Sequence, residues 1–157
     1  MKKIPTSALK WLSVTVIFLC AFNALYAIIQ CFGFMISPND YRAVWIENIK
    51  SFQVAILVGR MLGGVLFSVL MIIFTYNSLK SLKNGILFPM CNVGILYGSA
   101  ISYFLYRFCH SNIGISSGID HNIILDSDDL MVPLIIVIFA LIYKLAVKIS
   151  IENSLTI

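Results

Sequence analysis

Four long apolar runs divide this chain, and no aspartate or glutamate falls inside any of them. They lie at about 11–34, 52–75, 89–109 and 130–149. Each is close to the roughly 20 residues a helix needs to cross about 30 Å of hydrocarbon. Alternating polarity is absent, which argues against a barrel. In lipid a backbone must satisfy its own hydrogen bonds, so runs of this kind are expected to be helices. Composition agrees: 60% of the 157 residues are apolar and 11% charged, where a water-soluble domain has about 45–50% and about 25%. The expected architecture is all-α: one integral membrane domain over residues 1–157, with four transmembrane helices in a bundle and a short interfacial helix before the second.

The first run follows Met1-Lys2-Lys3, as a cleaved leader would. It exceeds the ~7–15 apolar residues of a leader core, and Leu19 before Cys20 does not suit a lipoprotein site. It is read as a helix. Charge then orients the chain. Lys2, Lys3, Lys10, Lys80, Lys83, Lys144 and Lys148 fall on one side. Arg42, Lys50 and Arg107 fall on the other, with Asp40, Glu47, Asp120, Asp126, Asp128 and Asp129. Lysines of short loops stay in the cytoplasm, so both termini are expected there. The net charge of +4 then reflects topology, and no basic patch with interleaved aromatics suggests direct nucleic-acid binding.

Between the first two runs, Ser37-Pro38-Asn39-Asp40 has the residues of a helix start. Val44, Trp45, Ile49 and Phe52 follow near one helical face, which fits either an interfacial helix or an extension of the second span. Asn84-Gly85 reads as a helix stop and Pro89 as the next start. The outer loop from His110 to Asp129 is rich in Ser, Gly, Asn and Asp. A strand pair around 113–115 and 123–125 is expected there, with Ser127, Asp128 and Asp129 capping the fourth helix.

Arg60 stands about eight residues, or roughly 12 Å, inside the second run. A charge at that depth costs about 2.5–3.5 kcal/mol or more unless something offsets it. Two readings stand. Arg60 can join polar groups counted to the same depth, namely Tyr26, Gln30, Ser102 and Tyr103, as an intramembrane polar site. Or it can snorkel toward the outer surface, because helical side chains lean toward the N-terminus. Gly59 with Gly63, and Gly94 with Gly98 and Ser102, are small-xxx-small pairs that let backbones approach closely. Counted depth sets Gly63 near Gly98, so the second and third helices are expected to touch there.

The four cysteines invite a disulfide or metal reading. Cys31 and Cys109 lie near the outer ends of their helices, where a disulfide is open to them, although a free buried thiol is the ordinary reading. Cys109, His110, His121 and the Asp126/Asp128/Asp129 group could gather a metal outside, but their spacing matches no ligand pattern; they are read as loop solvation and capping, with no metal or cofactor expected. No nucleophile elbow, HExxH or phosphate loop occurs. The expectation is a protein that is not an enzyme.

Gly85-Ile86-Leu87-Phe88-Pro89-Met90-Cys91-Asn92 has the form G-x-x-F-x-x-x-N, and the tail reads Glu152-Asn153-Ser154-Leu155-Thr156-Ile157. With the four-run layout, these resemble the bacterial membrane family catalogued as domain of unknown function 2975. That pattern usually continues with basic residues, where this chain has Val93-Gly94-Ile95. The resemblance implies an uncharacterised bacterial inner-membrane protein, with a small helix-turn-helix regulator or another membrane protein as partner. It makes Gly85, Phe88, Asn92, Glu152, Leu155, Thr156 and Ile157 the candidate cytoplasmic contact. The leading expectation is a regulatory or sensing partner. The alternatives are a small oligomeric transporter or channel subunit, and an envelope-stress or toxin-immunity protein that uses its outer loop.

Overall fold

A computed structural model describes residues 6–36, 49–84, 86, 88–117 and 122–155. The chain forms α1 (Thr6–Ile36), α2 (Lys50–Lys83), α3 (Cys91–Ser111), the single turn α4 (Ile113–Ser116) and α5 (Ser127–Leu155). No strand occurs among the described residues. Most of the stretch expected to hold an interfacial helix, residues 37–48, lies outside them; Ile49 leads directly into α2.

The helices outrun the apolar segments that seed them. α1 has 31 residues, α2 has 34 and α5 has 29, so each is well over 40 Å long at ~1.5 Å per residue. Helical bonding continues past the apolar residues through Tyr76, Asn77 and Ser78 and stops at Lys83, with Asn84 as C-cap. α3 begins at Cys91, two residues beyond Pro89.

Three segments are long and apolar enough to cross a membrane: Lys10–Ile36, Lys50–Lys83 and Ser127–Glu152. α3 is long enough at 21 residues but less apolar. Its polar side chains turn inward: Asn92, Ser99 and Ser102 are all buried. Its tyrosines and Arg107 lower its hydropathy further.

Adjacent helices pack in chain order: α1 on α2, α2 on α3, α3 on α5, with α4 sealing one end of the α2–α3 pair. Among the described residues α1 makes no close backbone approach to α3 or α5. The flanking helices therefore keep wide apolar faces, with Trp11 74%, Phe18 68% and Ile36 76% exposed on α1. On α5, Leu134, Ile138, Phe139 and Ile142 are exposed. Water would penalise a surface of this kind at about 25 cal/mol per Å², and patches this extensive mark a membrane or partner face.

Two contacts set the registers. Asn23 donates to the Ser68 hydroxyl at 3.0 Å, which aligns α1 with α2. Gly63 holds α2 on α3. A Cβ there would lie 2.6 Å from the Tyr106 nitrogen and 2.9 Å from the Ser102 oxygen, so the backbones themselves touch. Gly63 thus faces Ser102 and Tyr106 rather than Gly98, which meets the Leu70 side chain. Gly94 has open space. Three hydroxyls of α2 are satisfied locally: Ser68, Thr75 and Ser78 donate to the carbonyls of Gly64, Met71 and Phe74, the usual recourse where water is excluded.

Candidate functional site

The polar residues gather at the two ends of the helix row and at one point between. The end where α2 begins and α3 finishes is tied by α4 and the start of α5. Asn112 follows α3, and its side-chain amide donates to the Phe108 and Ile124 carbonyls at 2.8 and 2.7 Å. Its side-chain oxygen accepts from the Ile124 nitrogen at 2.8 Å. This one side chain plays the part of a strand partner, so the expected strand pair is replaced by a helical turn and an extended segment. Gln53, fully buried, donates to the Ile115 carbonyl at 3.0 Å, and Ser116 donates to the Gln53 carbonyl at 3.2 Å. The start of α2 is thereby fastened to α4.

Asp129 is the buried charge of this end. It pairs with Arg107 at 3.3 Å, accepts from Ser111 at 2.7 Å and accepts from the Asp126 nitrogen at 3.2 Å. The last bond is one half of a capping box. Asp126, not Ser127, is thus the residue that precedes the helix, while Asp129 serves both its start and the link to α3.

Arg60 is half-buried in α2, and among the described residues no carboxylate lies within ion-pair reach of it. It lies close enough to Cys31 and His110 to act on both electrostatically. Arg107 and Asp129 lie near enough to act on His110 as well. His110 stacks on Tyr106 at 5.8 Å. Among the described residues its Nδ1 is buried without a hydrogen-bond partner, as is Oε1 of Gln30. Of the residues counted to the depth of Arg60, Gln30 donates to the Tyr26 hydroxyl. Tyr103 instead packs on Phe67 and Tyr106, and Ser102 lines the Gly63 crossing.

All four cysteines are free. Cys31 packs with Phe34 and Leu57, and Cys109 packs with Ile56 and Ile115. The two thiols therefore belong to separate clusters, each sharing a residue of α2. Among the described residues no three of His, Cys, Asp and Glu are grouped to hold a metal.

At the opposite end Asn92 is fully buried. Its amide donates to Ser78 Oγ at 2.9 Å, the Tyr143 hydroxyl at 3.3 Å and the Phe74 carbonyl at 3.4 Å. It joins α2, α3 and α5 and leaves no surface for a partner, so as a direct contact residue Asn92 is corrected to a strut. Nor does it cap α3, whose N-cap is Met90. Phe88 packs edge-on against Tyr143 at 5.5 Å while staying partly exposed. Glu152 is exposed and pairs with Lys148 at 3.8 Å. Leu155 ends α5, whereas Gly85, Thr156 and Ile157 lie outside the described residues.

Gln53, Asn112, Tyr143 and the Arg107–Asp129 pair were not legible as site residues. Gln53 did carry a signal, being a neutral amide set among Phe52, Val54 and Ala55. No protein-family model matches the chain, and neither a curated protein nor a solved structure does.

Proposed function

We propose that this chain is a multi-pass protein of a bacterial inner membrane, of the kind it resembles, with α3 as a span beside α1, α2 and α5 and both termini cytoplasmic. It works without catalysis, as a regulatory or sensing partner that meets another protein at its inner end. One observation carries this reading. A frame locked by Asn92, Ser78 and Tyr143 presents Ile86 and Met90, 51% and 59% exposed, on its outside. Met90 also borders a groove with Leu141, Leu145, Ile151, Lys144 and Lys148. A rigid support beneath exposed apolar side chains, rimmed by cations, suits an acidic amphipathic segment of a cytoplasmic regulator. A photoreactive side chain in place of Ile86 should give a discrete protein adduct in cells, and one in place of Asn122 should not. Adducts to lipid alone at Ile86 would contradict the reading.

A second reading rests on Arg60. Among the described residues no carboxylate pairs with it, and Gln30 Oε1 and His110 Nδ1 are buried and unbonded; this suits an anion-friendly path through an oligomer. Arg60→Leu should then change anion flux in liposomes, and absence of flux from the wild type rejects it.

A further inference from the structure

The inner ends of α1 and α2 leave a groove of about 550 Å³ between them. Lys10, Lys80 and Lys83 stand around it, and Val14, Leu79 and Leu82 form its apolar wall. The pairing of Asn23 with Ser68 sets the antiparallel register. Carried thirteen residues toward the inner end, or ~20 Å, that register brings Lys10 level with the Lys80–Lys83 turn. Among the described residues no carboxylate pairs with any of the three lysines. Glu152, the acid at this end of α5, is engaged by Lys148.

We propose that this groove is a binding site for one anionic glycerophospholipid of the inner leaflet, its phosphodiester held by Lys10, Lys80 and Lys83 and an acyl chain lying on Val14, Leu79 and Leu82. The inference rests on the membrane reading above. Depth supports this occupant over a soluble anion. Trp11 and Tyr76 are 74% and 60% exposed within a turn of Lys10 and Lys80, where aromatic side chains mark the headgroup level. The lysines therefore sit at the phosphate plane and the apolar wall continues into the acyl region. Lysine stems lie along such walls while their ammonium groups reach the headgroups. Basic pockets between helices on the cytoplasmic side are a recognised form of headgroup site. The groove bordered by Met90 and Lys144 is less suited, because it has two lysines against three, and Glu152 stands 3.8 Å from one of them.

The full chain in neutral detergent is titrated by native mass spectrometry with phosphatidylglycerol and with phosphatidylcholine of the same acyl chains. Each lysine near a headgroup is worth about fivefold, so the preference for phosphatidylglycerol should be on the order of a hundredfold. The variant Lys10→Gln/Lys80→Gln/Lys83→Gln should lose most of it. Replacing the same three by Arg should keep it, and Lys50→Gln, which removes one charge at the outer end, should leave it unaltered. Equal binding of the two lipids, or an undiminished preference in the triple Gln variant, overturns the proposal. Displacement of phosphatidylglycerol by millimolar inorganic phosphate also overturns it, because the groove would then read the ion alone. Vesicle flotation separates the two levels. A chain that does not float with vesicles defeats the membrane reading, whereas one that floats and shows no lipid preference defeats only the lipid site.

Discussion

Arg107 on α3 and Asp129 on α5 meet at 3.3 Å, and the carboxylate is wholly buried while the guanidinium keeps 27% of its surface. The pair is supported from both sides, because Ser111 and the Asp126 nitrogen also bond Asp129. Removing the carboxylate leaves a half-buried cation and two orphaned donors. Asp129→Ala should therefore cost about 3 kcal/mol, read as a fall in the denaturant midpoint of the purified protein in detergent. Asp129→Asn keeps an acceptor and should lose less. Equal stability of the alanine variant and the wild type would show that the junction of α3 and α5 is held by something else.

The α2–α3 crossing makes a contrast between two glycines. A methyl group on Gly63 would press into the Tyr106 and Ser102 backbones, which cannot swing aside. Gly63→Ala should cost about 1–3 kcal/mol through displacement of the helices. Gly94 meets nothing within 4 Å, so Gly94→Ala should be neutral or gain up to about 1 kcal/mol from helix propensity. Thermal unfolding of both variants, monitored by loss of helicity, checks the order.

Asn92 and Tyr143 share one network across three helices. Asn92→Ala removes the donor and leaves the Ser78 and Tyr143 oxygens without it. A loss of about 1–3 kcal/mol is expected. Tyr143→Phe removes one bond of 3.3 Å and should lose about 0.6 kcal/mol, the average for a polar contact between membrane helices. A double-mutant cycle should give a smaller combined loss than the sum.

The apolar helices were legible because their signal is local. Runs without a carboxylate announce α1, α2 and α5, and lysines mark where two of them end. Their full lengths were not, since Tyr76, Asn77 and Ser78 end the apolar character without ending the helix. α3 was legible by position but is less apolar than its neighbours, because Asn92, Ser99 and Ser102 are turned into the interior. The contacts that organise the site depend on register, which counting from loop ends misjudged: Gly63 faces Tyr106, not Gly98. Asn112 shows the same limit. Nothing in its neighbourhood says that its amide will take both backbone groups of Ile124, yet that choice turns an expected strand pair into a helical turn.

If these helices lie across a bilayer with α3 as one of the crossings, labelling from one side in sealed cells will separate their ends. With the native cysteines replaced, single cysteines at Lys83, Asn122 and Glu152, all exposed positions, are treated with an impermeant maleimide. The position at 122 should react from outside, while those at 83 and 152 should react only after permeabilisation. Reaction of 83 and 122 from the same side would remove the third crossing, and reaction of all three without any membrane barrier would overturn the membrane reading.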